Sequence, residues 1–322
     1  MAQSKIVRTL ALAIACSTSL FAQAQEVTLR AINAFQEGTA FAKPFEAFID
    51  KVNANGKGIL KINYIGGPKA MPPFEVGNAV KNGVVDIANV TGAFYTNLMP
   101  EADAFKLAER TIQEQRKNGA WEFINKLHND KLNAWYLART GDGVPFHLYL
   151  NKPLDKPDLK GLKLRVTPVY RAFFADLGAN LVQTAPGEVY TALERNVIDG
   201  YGWPTQGILD LGWQEKTKFR VDPGFYAVDV NFLVNLDSWK KLTDAQRALL
   251  TKTAAEIEAS NADNVQINQS EIKKQADAGI KAITFEGKDR EKWLNTARES
   301  GWAQIKKVSP GNADRLRELI AK

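Results

Sequence analysis

The sequence predicts an α/β protein built in two parts, and three observations carry that prediction. Strand-like alternation and helix-like spacing succeed each other as strand, helix, strand, helix, strand between residues 26 and 90, the pattern of a sheet covered by helices. The alternation restarts near residue 133 and runs on to residue 235, which calls for a second sheet. The segment 243–278 then contains neither Gly nor Pro, so it predicts a helix about 50 Å long at 1.5 Å per residue. A helix of that length exceeds what one small domain needs and suits a brace across two.

Taken in order, Glu26 to Ala31 alternates and reads as the first strand. Phe41, Phe45, Phe48, Ile49 and Val52 recur at helical spacing within 38–53. Ile59 to Tyr64 is a second strand, broken by Gly66-Gly67-Pro68. A helix over 74–82 stops at Gly83, and 84–90 is a third strand, apolar on both faces as in a covered parallel sheet. In the second half, strands are expected at 133–137, 146–150, 161–166, 180–184, 198–202 and 232–235. Helices are expected at 169–177 and 186–195. Thr243, with Gln246 three residues on, can cap the long helix. His128 falls on a helix between Leu127 and Asn129 and reads as a surface residue; Tyr190 reads as core.

The N-terminus has a layout of its own. Lys5 and Arg8 precede an apolar run from Leu10 to Phe21, which ends at Ala22-Gln23-Ala24. This is the form of a secretory signal peptide cleaved after Ala24. The run is too short and too interrupted by Ser17, Thr18 and Ser19 to span a bilayer. Ala13-Ile14-Ala15-Cys16 fits a lipobox less well, because Ala13 stands where Leu is usual. The expected location is therefore the periplasm, with no stable membrane insertion.

Composition excludes several kinds of chemistry. Cys16 is the single cysteine and would leave with the signal, so thiol catalysis and Cys-based zinc sites are excluded. The formal net charge is +6; without Lys5 and Arg8, and with no acidic residue before Glu26, it is +4. Basic and acidic residues interleave, as in Lys288-Asp289-Arg290-Glu291-Lys292, so no basic patch points to nucleic acid. The two histidines, His128 and His147, follow no nucleophile elbow, and no His-x-x-x-His spacing occurs. Gly66-Gly67-Pro68 lacks the Lys of a phosphate-cradling loop. No cofactor is implied. Carboxylates are plentiful, so the residues alone leave open a hydrolase built on a carboxylate pair.

Five segments then resemble one family. Asp158-Leu159-Lys160-Gly161-Leu162-Lys163-Leu164-Arg165-Val166, the helix segment Gly187-Glu188-Val189-Tyr190-Thr191-Ala192-Leu193, and the turn Ile198-Asp199-Gly200-Tyr201-Gly202-Trp203-Pro204 resemble elements of the DctP family. So do Gly83 to Ala88 and the stretch from Leu233 to Leu242 with its Trp239. These are the solute-binding proteins of tripartite ATP-independent periplasmic (TRAP) transporters. The segments occur in the family's order and span most of the chain. The resemblance implies a two-lobed periplasmic-binding-protein fold with hinge strands and a long lobe-spanning helix. It places lobe I at 25–145 plus 233–275 and lobe II at 146–232 plus 276–322. It implies capture of a small organic carboxylate, delivery to TRAP membrane subunits, and no enzymatic activity. A sensor or docking module on the same fold is the alternative.

The resemblance also assigns residues. Arg165 is similar to the family's carboxylate-binding Arg, and its type suits the role, because a guanidinium matches two carboxylate oxygens. Alternation with Leu162 and Leu164 takes Arg165 off the apolar face at a strand's C-terminal end, where α/β sheets bind ligands. Trp203 stands where the family carries an Asn, and Phe146 or His147 where sugar-acid binders carry a second Arg. These departures point away from a polyhydroxylated ligand and towards a carboxylate with an apolar or aromatic body. Phe35, Gln36 and Glu37 follow the first strand, and Thr91 and Phe94 the third, where ligand-facing loops are expected. Arg139 is a candidate second cation. Asn231 lies at a crossing between lobes, and Pro186, which opens the helix over 186–195, is a further ligand-binding candidate.

Overall fold

The computed structural model describes residues 26–322; the expected signal peptide, 1–24, lies outside them. Eleven strands form two sheets. The first contains β1 (Val27–Asn33), β2 (Leu60–Gly66), β3 (Ile87–Val90) and β4 (Ala134–Thr140). The chain then leaves for the second sheet with β5 (Phe146–Leu150), β6 (Lys163–Val166), β7 (Asn180–Gln183), β8 (Gly200–Pro204) and β9 (Phe219–Asp222). It returns to the first as β10 (Val230–Asn235) and ends in the second as β11 (Lys281–Thr284). The orders are β2-β1-β3-β10-β4 and β11-β9-β5-β8-β6-β7. Strand β1 runs parallel to β2 and β3, whereas β10 is antiparallel to β3 and β4. A strand arriving from the other lobe enters from the opposite end, which explains its direction.

The helices are α1 (Lys43–Asn55), α2 (Val76–Lys81), α3 (Ile112–Lys117), α4 (Ala120–Leu132), α5 (Pro168–Asp176), α6 (Val189–Glu194), α7 (Leu236–Lys241), α8 (Asp244–Ala259), α9 (Asn264–Asp277), α10 (Gly287–Val308) and α11 (Ala313–Ile320). The apolar stripe of α1 (Phe45, Phe48, Ile49, Val52) is buried against the first sheet, with Phe45 and Phe48 packed on Phe232 of β10. In the second lobe the ring of Phe173 on α5 packs edge-on against Trp293 of α10, 4.7 Å between centroids.

The long helix is present with one interruption. Helices α8 and α9 are separated by a single 3₁₀ turn, Ser260–Asp263. Thr243 caps α8 through the expected reciprocal pair with Gln246. Helix α8 belongs with the first lobe: Gln246 donates to the Ile59 carbonyl, and Glu258 receives Arg116. Helix α9 belongs with the second, where the Gln275 amide donates to the Thr205 carbonyl and its oxygen accepts from Arg220. The turn between them grips the interlobe crossing. Asn261 accepts from Gly141 N–H and donates to the Arg139 carbonyl, and Asn264 donates to that of Asp142.

Other sequence expectations are corrected. The third strand begins at Ile87 instead of 84, because Val84 sits half-exposed in a turn whose amide bonds Ala79. His128 is fully buried, not at the surface, with Nε2 3.0 Å from Tyr95 OH and Nδ1 2.8 Å from the Ile124 carbonyl. Tyr190 is only partly covered and sends its hydroxyl to Glu215. Helix α11 packs against the 3₁₀ segment Pro100–Leu107, α10 and α4.

Candidate functional site

The site forms where the strands of the two sheets end facing one another. In the second sheet, β6 lies parallel to β8 with Arg165 opposite Tyr201. Strand β5 pairs with the other edge of β8, setting Phe146 beside Pro204 and His147 beside Trp203. Immediately after β6, Pro168 opens α5, a position where its missing N–H costs nothing. That helix brings the Tyr170 ring back over β8. A Cβ on Gly202 would meet this ring at 2.6 Å, so only glycine admits it.

Arg165 is completely buried. Its Nε and Nη2 donate to the Thr184 carbonyl at 3.1 and 2.9 Å, and Nη1 donates to Tyr170 OH at 2.8 Å. Tyr170 OH donates onward to the Gly202 carbonyl at 2.6 Å. The Trp203 ring lies 5.7 Å from the guanidinium carbon. Among the described residues no carboxylate pairs with Arg165, whereas Arg30, Arg116, Arg139, Arg220 and Arg247 all have acidic partners. Burying a cation without a counter-charge costs several kcal/mol, which makes Arg165 the candidate partner for an anion.

Arg165 itself lines no cavity, but its neighbours Tyr170 and Trp203 wall two adjoining ones. One is a narrow seam of about 30 Å³, lined by Phe35, Phe41, Thr91, Phe94, Phe146, Thr167, Tyr170, Trp203 and Asp229 among others. The other, about 260 Å³, is lined by Phe35, Gln36, Phe41, Pro186, Gly187, Trp203 and Gly207 among others. Phe35, Phe41 and Trp203 wall both. Their rings form an aromatic band across the lobes, with Phe35–Phe41 centroids 5.7 Å apart and Phe41–Trp203 6.4 Å. The Trp203 Nε1 is buried without a partner. It lies 3.2 Å from where a side chain on Gly207 would begin. Across the mouth, Ala40 N–H donates to the Asp210 carboxylate at 2.8 Å and joins the lobes.

The structure brings together most of the residues expected from sequence, and sets four apart. Phe35, Gln36, Thr91, Phe94, Phe146, Pro186 and Trp203 line one or both cavities. Glu37 is exposed and lines neither. His147 is turned into the hinge: Nε2 meets Thr205 Oγ1, and Nδ1 meets Asp222 and the Val221 carbonyl, each at 3.0 Å, so both ring nitrogens are spent. Arg139 is not a second cleft cation. Its guanidinium is held by Asp142 and Gln115 beside a different cavity. Asn231 acts one layer back, accepting from Tyr136 OH and donating to Asp229 Oδ2.

A family model described as bacterial extracellular solute-binding protein, family 7 (DctP) matches residues 33–307. The chain belongs to the DctP family. A relative at 26% identity is the monocarboxylate 2-oxoacid-binding periplasmic protein of Nostoc sp., aligned over 67% of this chain and 61% of its own length. Two solved structures share the fold. A TRAP periplasmic solute-binding protein from Desulfovibrio salexigens with bound orotic acid has a TM-score of 0.82 at 19% identity, covering 92% of this chain and 97% of that one. A Bordetella pertussis extracytoplasmic solute receptor binding pyroglutamic acid has a TM-score of 0.80 at 17% identity, covering 92% and 100%.

This DctP protein also uses residues that sequence reading missed. Phe41 reads as an ordinary helix-face residue yet reaches the cleft ahead of α1. Tyr170 falls within the helix expected at 169–177, and only the fold shows its hydroxyl against Arg165. Asp229 carried a visible signal: with Asn231 it is one of two polar residues in the otherwise apolar strand entry Val228-Asp229-Val230-Asn231-Phe232-Leu233. Among the described residues no helix is long and apolar enough to cross a membrane.

Proposed function

We propose that this DctP protein is exported through residues 1–24, captures a small monocarboxylate between its lobes and passes it to the membrane subunits of a TRAP transporter. The observation that carries the reading is the buried guanidinium of Arg165, without a carboxylate partner among the described residues, next to Tyr170 and Trp203 in the wall of an aromatic cavity. The ligand carboxylate takes the remaining N–H groups of Arg165, and the band of Phe35, Phe41 and Trp203 covers an apolar or ring-shaped body. The named ligands of the relatives agree in kind: a 2-oxoacid, orotic acid and pyroglutamic acid are all carboxylates. The seam holds little more than two waters, so the lobes must part to admit a ligand. A ligand touching both lobes then favours closure by its differential affinity for the closed form.

The test is calorimetric titration of the protein lacking residues 1–24 against a broad panel of carboxylates, sugars, amines and amino acids. Binding confined to carboxylates is expected. Arg165→Ala should weaken the best ligand by roughly 3–5 kcal/mol, since it strands a buried carboxylate, a hundredfold or more in Kd. Unchanged affinity in that variant sinks the anchor role.

A further inference from the structure

The acidic residue in the cleft wall has no part in the anchor just described, and its surroundings are specific. Asp229 is 3% exposed and lies just before β10, in the wall of the seam shared with Tyr170 and Trp203. Its Oδ2 is fully used, accepting from Gly92 N–H at 2.7 Å and from the Asn231 amide at 2.9 Å. Gly92 is constrained to be glycine by this contact, because a Cβ there would fall 2.9 Å from Oδ2. Asn231 is itself oriented by the Tyr136 and Tyr95 hydroxyls. A layer of buried groups thus fixes one carboxylate oxygen, while Oδ1 receives no hydrogen bond from the described residues. A second group in the same cleft is buried and unsatisfied: the Trp203 indole N–H, 7% exposed, has no acceptor among the described residues.

We propose that Asp229 is a specificity-determining acceptor, selecting carboxylates that also carry an O–H or N–H donor. This rests on the reading of the cleft given above. A carboxylate anchored at Arg165 with no donor elsewhere closes the seam over Asp229 Oδ1 without pairing it and brings a second anion towards it. A ligand with a hydroxyl, ring N–H or ammonium satisfies Oδ1. Sites built to pair with a ligand's donor reject the analogue lacking it far more strongly than a pocket rejects a missing methylene, because the site's own polar group is left unpaired. Burial raises the Asp229 carboxyl to about 6, against the Gly92 amide, the Asn231 amide and Arg139, which lower it; Asp103 adds to the rise. At pH 8 it is therefore ionised and purely an acceptor.

The experiment is calorimetric titration at pH 8 with two matched trios: lactate, pyruvate and propionate, and mandelate, phenylglyoxylate and phenylacetate. In the wild type the hydroxy acid should bind at least tenfold tighter than both partners in whichever trio fits. In Asp229→Asn the side-chain oxygen must still accept from Gly92, which turns the amide NH₂ into the seam and replaces an acceptor by a donor. The order should then invert in favour of the oxo acid. Equal binding of hydroxy, oxo and unsubstituted acids, or a ratio unmoved by Asp229→Asn, overturns the proposal while carboxylate capture stands. If the trios and the broad carboxylate panel all fail to bind, the reading of the cleft falls and takes this proposal with it. Should Asp229→Asn not fold, the wild-type ratios alone decide.

Discussion

At the scale of single residues, two buried titratable groups act on stability in opposite directions. Burial lowers His128 to about 4, below its ordinary 6.5, so on acidification the unfolded chain takes up the proton first. Its contribution is complete above pH 6.5 and is lost as the pH falls towards 4. Asp229 is raised to about 6 from 3.8. The folded state binds its proton first, so stability is gained as the pH falls through 6. The groups facing Asp229 are Arg139 and Asp103, with the Tyr95 and Tyr136 hydroxyls nearby. Between pH 7 and pH 5 each effect is worth about 1–2 kcal/mol, and they largely offset. Calorimetric melting at the two pH values should show a small change in the wild type. Asp229→Asn should melt lower at pH 5 than at pH 7, and His128→Asn should show the opposite trend. Parallel trends in the two variants refute this assignment. Neither group's environment was legible in the sequence. His128 sits on a helix whose polar neighbours Asn129 and Asp130 suggest solvent, and only the packing of Phe105 and Tyr136 against its ring buries it. Arg165 was legible as a candidate because the Lys160-to-Val166 segment carries its own pattern; its lack of a counter-ion is a property of the fold.

At the scale of elements, the anchor depends on how closely α5 approaches β8. Gly202→Ala places a methyl against the Tyr170 ring, and overpacking of this kind costs about 1–3 kcal/mol. Thermal unfolding should register that loss. Tyr170→Phe should unfold nearer the wild type but bind carboxylate several-fold more weakly, because Arg165 loses the hydroxyl that orients Nη1. Equal affinity in Tyr170→Phe removes Tyr170 from the anchor. Elements with strong local pattern were the ones sequence could place. Strand β5, Phe146–Leu150, has the expected limits because every one of its residues is buried and the neighbouring chain turns away at both ends. Strands β9 and β11 were not anticipated. Phe219–Asp222 carries two charged residues that pair with each other, and Lys281–Thr284 is an edge strand with little buried surface. Nor could sequence show the break after α8, since Ser260-Asn261-Ala262-Asp263 contains no helix breaker. The 3₁₀ turn there is tied by side-chain bonds to residues 139–142, well over a hundred positions away.

At the scale of the whole molecule, the two lobes are joined at the cleft mouth by the bond from Ala40 N–H to Asp210. Its acceptor is exposed, so its net worth is roughly 1 kcal/mol. Asp210→Ala should therefore weaken ligand by about fivefold, mostly through faster dissociation, and should raise the radius of gyration of ligand-free protein in small-angle scattering. A variant that keeps wild-type affinity and dimensions shows the contact to be incidental to closure. The two-sheet plan was readable because the strand–helix rhythm restarts after residue 133. The packing of the C-terminal segment was not, because α10 touches both α5 and Pro100–Leu107, and α11 packs on Pro100–Leu107, α10 and α4.

The joint between α8 and α9 gives this architecture a mechanical consequence. Helix α9 has 14 residues and is therefore a rod of about 21 Å, fastened to one lobe and pivoted at Ser260–Asp263. Because Gln275 near its far end is bonded to Thr205 and Arg220, the rod turns with the second lobe, and a rotation of about 20° at the joint would carry that end through roughly 7 Å, since arc grows with the 1.5 Å rise of every added residue.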